Sequence, residues 1–361
     1  MEHHVTDTVR ALREELHSLA ERSGEEKKTK ARLMKFLREN TSLGVTDEGK
    51  WFTALHREPG ASETVALRAD MDALPFGEGA RHFCGHDGHS AALAGLGLLL
   101  ERKRLGRNIL LVFQHAEETG AGGIVCSRAL KAYGVNRAYS FHNIPGYPEG
   151  TVLTRRGVFA CASRGMTLSF SGRVSHAAYP EYGRNPGFAA ARLISALPEL
   201  TAQAGGDGLV MATLAGARMG ERAFGSAAGQ AEVWLTLRTG LEKDMEALVS
   251  SLENAAQAEA ARDGTGVSFS FCDVFPAMVN DPDAGSRLEN ACRAAGLLCE
   301  ELPESFRWSE DFGHYVTAVP AAMAGIGAGI DWPQLHTADY TFNDRVLPAA
   351  MAFFYALAEQ G

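Results

Sequence analysis

The segment Cys84-Gly85-His86-Asp87 places a thiol and an imidazole one residue apart. Cysteine thiolate and histidine imidazole are common ligands of zinc and similar divalent ions. The glycine between them lets the backbone turn so that both side chains can reach one point. A buried cysteine beside histidines that begin a helix would give the same local sequence. The segment alone is therefore compatible with a metal site but does not establish one.

Two adjacent carboxylates, Glu117 and Glu118, follow the apolar stretch 108–114. That stretch is typical of a strand buried on both faces, and ligands in open α/β sheets bind beyond the carboxyl ends of such strands. Adjacent carboxylates point in different directions, so one can ligate a metal while the other takes a proton from metal-bound water. A solvated acidic turn is the alternative, and the position at the end of a core strand argues against it.

Two more predicted strands end in polar residues that suit a metal site. Asp70 and Asp72 follow strand 64–68, and His142 follows strand 137–141. An aspartate in such a place can orient a histidine ligand through the second ring nitrogen. One aspartate at a strand end is usually a turn residue. A role as turn residues does not readily explain three strand ends that together carry Asp, Glu-Glu and His.

Strands and helices alternate in the stretch that carries these residues. The apolar patterns predict a helical region over 5–39 and a C-terminal helix near 345–358. Between them they predict strands at 51–56, 64–68, 108–114 and 137–141 and helices at 87–103 and 122–133. This alternation predicts an α/β domain built on a largely parallel sheet.

The middle of the chain follows another order. Strands are predicted at 164–171, 209–215, 231–239 and 267–272, with helices at 186–203 and 241–262, the first interrupted at Pro198. The order βαββαβ is that of a ferredoxin-like unit. We therefore expect a catalytic domain formed by residues 1–160 and 275–361, with an inserted domain over residues 161–274.

Composition limits the possible partners and the cellular setting. The chain has 361 residues, a net charge of −9 and no Lys/Arg block, which argues against nucleic acid as a partner. The longest apolar run, Ala91 to Leu100, is too short to span a bilayer. The first residues contain no apolar segment typical of a secretory signal, and the six cysteines are scattered. A reducing, cytoplasmic setting is expected.

Taken together, these segments closely resemble the M20 metallopeptidase and amidohydrolase family, nearest to its N-acyl-amino-acid, hippurate and auxin-conjugate hydrolases. The matching motifs are collinear from about residue 65 to the C-terminus. They are residues 66–75, 84–89, 113–118, 141–145, 172–180, 309–312 and 335–337. The resemblance implies a catalytic α/β domain interrupted by a ferredoxin-like lid that also forms a homodimer.

The resemblance also implies two divalent metal ions per subunit. Zinc suits the ligands, and manganese, cobalt or nickel could also bind. The implied ligands are Cys84, His86, Glu118, His142 and His336. Glu117 would be the base that activates a water bridging the metals. Asp72 would not bind a metal itself but would contact one of the residues that do. His176, which by residue type alone reads as a surface-loop histidine, would stabilise the oxyanion in the other subunit.

The resemblance further implies hydrolysis of the amide bond in N-acyl or N-aroyl amino acids. A dipeptidase or carboxypeptidase uses the same chemistry, and a non-catalytic metal or acyl-amino-acid binding protein would not need Glu117. Arg238 could grip a free carboxylate or pair with a nearby acid, and Asn185 is predicted to bind substrate with it. Residues 223–226 replace the family's usual Asn-Val-Ile-Pro, so substrate recognition differs there. We expect a small-molecule or short-peptide substrate and no membrane partner.

Overall fold

Helices and strands cover most of the chain in the computed structural model, which describes residues 3–205 and 208–360. The α-helices are α1 His3–Ser18, α2 Lys27–Asn40, α3 His86–Leu99, α4 Gly123–Ala129, α5 Gly187–Gln203, α6 Glu242–Arg262, α7 Pro282–Ala294, α8 Gly313–Val316 and α9 Leu347–Gln360. The strands are β1 Gly44–Asp47, β2 Phe52–His56, β3 Thr64–Asp70, β4 Leu74–Phe76, β5 Gly79–Arg81, β6 Asn108–Gln114, β7 Arg137–Ile144, β8 Val152–Thr154, β9 Gly157–Ala160, β10 Ala162–Ser171, β11 Ser175–His176, β12 Val210–Met219, β13 Ser226–Ala227, β14 Gln230–Thr239, β15 Gly266–Phe275, β16 Met278–Asn280, β17 Cys299–Glu301 and β18 Ala321–Gly327.

The chain forms two compact units. The first, unit 1, comprises Met1–Phe159, Met278–Ser305 and Glu310–Gly361. The second, unit 2, comprises Ala160–Ala277 and Phe306–Ser309. Each unit has its own hydrophobic core.

Unit 1 is built on a mixed sheet whose centre is parallel. Eight of the described strands lie in the order β1-β2-β6-β3-β7-β18-β8-β17. The neighbours β6, β3, β7 and β18 run parallel, while β1, β2 and β8 join the sheet in antiparallel pairs. These four strands are buried along nearly their whole length, and β6 and β18 are almost entirely apolar. Their carboxyl ends therefore meet at one edge of the sheet.

Unit 2 is an antiparallel sheet packed against two helices. Its strands lie in the order β12-β14-β10-β15. Along the chain the elements β10, α5, β12, β14, α6 and β15 follow the βαββαβ order of a ferredoxin-like unit. Leu193 and Leu197 on α5, with Leu248 and Leu252 on α6, fill the core beneath the sheet. The predicted fold class, a mostly parallel α/β domain with a ferredoxin-like insertion, is confirmed.

Two local expectations were wrong. Pro198 does not interrupt its helix, since α5 runs unbroken from Gly187 to Gln203. The proline removes one backbone hydrogen bond, but the buried leucines Leu193 and Leu197 anchor the turns around it. Two strands extend beyond their predicted ends, so that His142 lies within β7, which runs to Ile144, and Asp70 is the last residue of β3. Within the described residues, no helix is long and apolar enough to cross a membrane.

Candidate metal centre

The candidate site lies at the shared carboxyl edge of the parallel strands in unit 1. The loop after β3 carries Asp72, the loop after β6 carries Glu117 and Glu118, and β7 carries His142 near its end. Because these strands are parallel neighbours, their loops meet on one side of the sheet. The edge therefore collects the side chains that the sequence motifs single out.

A glycine between Cys84 and His86 allows the first motif to approach this edge. Gly85 caps the start of α3 with a φ of 94°, a conformation that favours glycine. A Cβ atom there would lie 2.5 Å from Asn143 Oδ1 and 2.7 Å from the Tyr340 hydroxyl. Glycine is thus required both by the backbone conformation and by the close packing against β7.

Cys84 lies at the centre of the predicted ligands. Its Sγ is 3.4 Å from His142 Nε2 and 3.3 Å from His336 Nε2. Glu118 Oε1 is 3.8 Å from His86 Nε2 and 3.8 Å from His336 Nε2. The donor atoms of Cys84, His86 and His142 all lie within 4.8 Å of one another, as do those of Cys84, Glu118 and His336. The five predicted ligands therefore form two groups that share Cys84.

Hydrogen bonds on the far side of two imidazoles fix which nitrogen faces the site. His86 Nδ1 lies 3.0 Å from Asp72 Oδ1, and His142 Nδ1 lies 2.9 Å from the carbonyl oxygen of Asn143. Since a carboxylate and a carbonyl only accept, each Nδ1 carries the hydrogen by this assignment. In the neutral ring, each Nε2 then presents its lone pair to the site. This is the arrangement that second-sphere partners impose on metal-ligating histidines.

The residues fit a divalent cation. His86 Nε2 and Glu118 Oε1 are buried, and neither makes a well-formed hydrogen bond to another described residue. Buried polar atoms without hydrogen bonds are rare because leaving them unpaired costs free energy. Thiol, imidazole and carboxylate donors together suit zinc and its neighbours in the first transition row. A cation held between the donors would satisfy both atoms.

The electrostatics point to the same conclusion. Burial and the nearby Glu118 raise the pKa of the Cys84 thiol well above its usual range. Burial raises the pKa of Glu118 to about 7, although the neighbouring His86 opposes the shift. Burial alone would lower the pKa of His86, but Asp70 and Cys84 raise it well above normal. Several acidic groups share one buried space, and a cation would stabilise their charged forms.

Glu117 has different surroundings from Glu118. Its Oε1 accepts a hydrogen bond from the Asp311 amide at 3.3 Å, and its Oε2 is 4.0 Å from His86 Nε2. Burial, with Glu310, Asp311 and Glu118 nearby, raises the pKa of Glu117 well above normal. Ala116, directly before it, has a φ of 51°, which turns the chain sharply after β6. A buried carboxyl group of raised pKa beside the donor groups is suited to accept a proton and return it.

A buried ionic cluster behind Glu117 was not identified from the sequence. Arg68 on β3 lies 2.7 Å from Asp70, 2.7 Å from Asp311 and 3.1 Å from Glu310. Gln114 at the end of β6 donates to Asp311 as well. One signal was available, because Arg68 is a charged residue within an otherwise apolar strand. Such a residue needs buried partners of opposite charge.

The three predicted residues of the inserted domain lie in unit 2, away in sequence from the other candidates. His176 on β11 is exposed, and its Nδ1 accepts a hydrogen bond from the Ala178 amide, which leaves Nε2 to carry the hydrogen. Asn185 is half-buried, and its Oδ1 accepts from the Gly187 amide. Arg238 donates to the Arg307 carbonyl and the Ser309 hydroxyl. No described carboxylate lies within ion-pair distance of Arg238, so the alternative of an acid partner finds no support.

Comparison with known proteins gives a consistent set of similarities. The profile of peptidase family M20/M25/M40 matches residues 66–360. The N-acetylcysteine deacetylase of Bacillus subtilis is 27% identical, with 96% of this chain and 95% of that protein aligned. The N-acetyldiaminopimelate deacetylase of Halalkalibacterium halodurans is 28% identical, over 94% of this chain and 95% of that protein.

Two solved structures share the fold. One is a Bacillus subtilis dinuclear metal-binding peptidase from the M20 family, with a TM-score of 0.85, 24% identity and coverage of 99% of this chain and 98% of that chain. The other is an aminobenzoyl-glutamate utilization protein from Klebsiella pneumoniae, with a TM-score of 0.76, 21% identity and coverage of 99% and 96%. Both likenesses extend over nearly the whole chain.

Proposed function

Because the chain belongs to peptidase family M20/M25/M40 and is a hydrolase of that family, we propose that it cleaves the amide bond of N-acyl or N-aroyl amino acids. The observation that carries the proposal is the position of Glu117, a buried carboxyl group beside the two donor groups but directed at Asp311. A protein that only binds metal has no use for such a group. The names of two relatives, deacetylases of N-acetylcysteine and N-acetyldiaminopimelate, favour acyl amino acids as substrates.

We propose that the two donor groups hold two divalent cations, with zinc favoured and manganese, cobalt or nickel as alternatives. The ligands would be Cys84, His86, Glu118, His142 and His336. When bound, the cations supply Lewis acidity to the scissile carbonyl and lower the pKa of water. Asp72 keeps His86 in the tautomer whose Nε2 faces the site.

Glu117 moves the protons in the proposed reaction. Its carboxylate takes a proton from the attacking water as the new carbon–oxygen bond forms. Its raised pKa then lets it hold this proton until the carbon–nitrogen bond breaks and the amine nitrogen receives it. The bond from the Asp311 amide holds Glu117 in place between the two transfers.

Unit 2 supplies the proposed contacts to the substrate. His176 presents an N–H at Nε2 and would stabilise the oxyanion, while Arg238 and Asn185 would bind the carboxylate and carbonyl of the amino acid. We propose that His176 acts in the active site of a second copy in a homodimer. The long edge strand β12, with exposed apolar residues Leu214 and Met219, is a surface that suits such pairing.

A substrate screen tests the proposed activity. The protein is loaded with Zn²⁺ or Mn²⁺ and incubated with N-acetyl-L-cysteine, N-acetyl-L-diaminopimelate, hippurate and a set of dipeptides. Release of the free amino acid from the acylated compounds is expected. Cleavage of dipeptides alone would assign the protein as a dipeptidase, and no cleavage of any compound by the metal-loaded protein would support a binding function.

Mixing two inactive variants tests the role of His176 in the partner subunit. Glu117→Gln and His176→Asn homodimers are each expected to be inactive. If His176 acts across the dimer, subunit exchange produces one intact site in each mixed dimer and activity returns. Activity that stays absent after exchange has been verified by mass would show that His176 acts within its own chain, and an active His176→Asn homodimer would show that His176 has no role in the reaction.

A further inference from the structure

The segment Glu21–Glu26, between α1 and α2, contacts both loops that carry the candidate catalytic residues. It precedes the stretch matched by the family profile, which begins at residue 66. The Ala73 amide donates to the Glu21 carbonyl at 2.9 Å, and the Ser23 hydroxyl donates to Asp72 Oδ2 at 2.5 Å. The segment thus holds Asp72, the aspartate that lies next to His86 Nδ1. Its last residue, Glu26, reaches the second loop.

Glu26 is a buried carboxyl group whose contacts are with backbone amides. It is 3% exposed. Its Oε1 accepts from the Ala116 amide at 2.9 Å and from the Gly24 amide at 2.6 Å. Burial, followed by the charge of Asp72, raises the pKa of Glu26 to about 7. Burial of a carboxylate costs free energy, so a carboxyl group buried in this way has a structural or functional role.

The residue that Glu26 holds is a strained turn residue. Ala116 has a φ of 51°, in the left-handed region that is unfavourable for a residue with a side chain. The amides of Ala121 and Gly122 donate to the Ala116 carbonyl, so the turn is closed on its other side. The direction of Glu117 and Glu118 depends on this one residue. The hydrogen bond that the Ala116 amide donates to Glu26 fixes the other backbone group of this residue.

We propose that Glu26 is a positioning residue for the reaction, because its carboxyl group holds the Ala116 turn that presents Glu117 to the substrate. This inference rests on the proposed function. The essential property is the reach of the side chain rather than its charge. Both amides donate to the same oxygen, and the amide oxygen of a glutamine can accept the same two bonds.

Three substitutions separate reach from charge. Glu26→Gln keeps the reach and loses the charge, whereas Glu26→Asp keeps the charge and is one methylene too short to reach Ala116. Glu25→Gln, at the adjacent exposed residue, is the matched control. We expect Glu26→Asp to lower kcat by about 100-fold, the effect of a displacement of roughly 1 Å in an active site. KM, bound metal and melting temperature should stay near wild type, and Glu26→Gln should restore kcat.

The test is to measure the steady-state kcat of each variant. The substrate is the acyl amino acid of the proposed panel that the wild type cleaves fastest. Equal kcat values for Glu26→Asp and the Glu25→Gln control would overturn the inference. A loss of activity that follows loss of metal or of folding in Glu26→Asp, or one that Glu26→Gln shares, would overturn it as well. A wild-type protein that cleaves nothing would instead contradict the proposed function.

Hydrogen exchange tests the same contact without a substrate. The amides of residues 116–122 should exchange faster in Glu26→Asp than in wild type, while Glu26→Gln and Glu25→Gln leave them unchanged. Unchanged exchange of these amides in Glu26→Asp would show that Glu26 does not hold the turn, whatever the activity of the wild type.

Discussion

Glu117 and Glu118 are neighbours in sequence and both carry buried carboxyl groups, yet their surroundings separate them. Glu118 faces Cys84 and His336, whereas Glu117 accepts from the amide of Asp311 and has Glu310 nearby. Burial raises both pKa values, and the acidic neighbours of Glu117 raise its value further. Like charges in one buried space cannot all be ionised at once without a cation. The pair therefore suits one ligand and one proton carrier.

Replacement of Glu117 by glutamine is expected to remove activity and leave the metal in place. Glutamine has nearly the same shape but cannot accept the proton, so kcat should fall by about 10²–10⁴-fold, the usual contribution of a general acid–base residue. Metal content, measured by inductively coupled plasma mass spectrometry, should match the wild type. Glu300→Gln, an exposed glutamate on β17, is the control. A Glu117→Gln enzyme with substantial kcat would assign the proton transfer to another group.

Replacement of Asp72 tests the support of His86. Asp72→Ala removes the carboxylate that lies 3.0 Å from His86 Nδ1 and that also accepts from the Glu118 amide. Loss of such a partner typically lowers metal affinity by about 10–100-fold. Competition with a chromophoric chelator measures this loss, and Asp339→Ala, an exposed aspartate of unit 1, should behave like wild type. Unchanged affinity in Asp72→Ala would mean that the main-chain carbonyl of Asp72, 3.1 Å from His86 Nδ1, is enough to orient the His86 ring.

At the level of elements, the start of α3 and the end of β7 are packed so closely that only glycine fits between them. Gly85→Ala should destabilise the protein through both its positive φ and the contacts of the new Cβ with Asn143 and Tyr340. Gly106→Ala is the control, since Gly106 also has a positive φ but has no atom within 4 Å of its Cβ position. The control should cost about 1–2 kcal/mol and Gly85→Ala about 1–3 kcal/mol more. Urea unfolding of the two variants gives the difference, and equal losses would contradict the packing argument.

The elements of the site were predictable from local patterns. The unbroken apolar run of β6 and the Cys-Gly-His segment before a helix each gave the correct type of element, because burial on both faces and a helix start leave clear local signals. The convergence of Asp72, Glu118 and His142 followed from the parallel arrangement of three strands. The approach of His336, by contrast, depends on a loop with a positive φ at His336 itself, and only the family resemblance pointed to it.

Glu26 and Arg68 show what local patterns leave out. Glu26 lies in the charged stretch Glu25-Glu26-Lys27-Lys28, which looks like a solvated helix start. Its burial comes from contact with a turn 90 residues further along the chain. Arg68 similarly depends on Asp311, 243 residues away. Sequence periodicity reports which face of an element is apolar, and it contains no information on which distant polar group will meet a buried charge.

For the whole molecule, the proposed cations should contribute to the stability of unit 1. They would join β7 and the loops after β6 and β18 with the start of α3. A ligand that binds only the folded state adds to its stability, about 4 kcal/mol at a concentration a thousand times its Kd. Dialysis against a chelator should therefore lower the melting temperature in calorimetry, and Zn²⁺ or Mn²⁺ should restore it.

A variant without the ligands provides the control for that experiment. In a Cys84→Ser, His86→Ala double variant, chelator and metal should leave the melting temperature unchanged. A wild-type melting temperature that does not respond to chelation, in protein shown to have lost its metal, would mean that the loops hold their arrangement without cations.

The parallel pairing of β7 with β18 has a consequence for how the protein is made. Roughly 180 residues, including all of β10 to β15, separate the two strands in sequence. At a synthesis rate of about 5–20 residues per second, a ribosome needs roughly 10–40 s to deliver β18 after β7. During that interval the residues that form the core of unit 2 leave the ribosome. Over the same time β7 has one unpaired edge, and His336 has not been synthesised. The nascent chain therefore cannot bring His336 to the proposed metal centre until β18 and the loop after it have left the ribosome, which would delay hydrolytic activity until then.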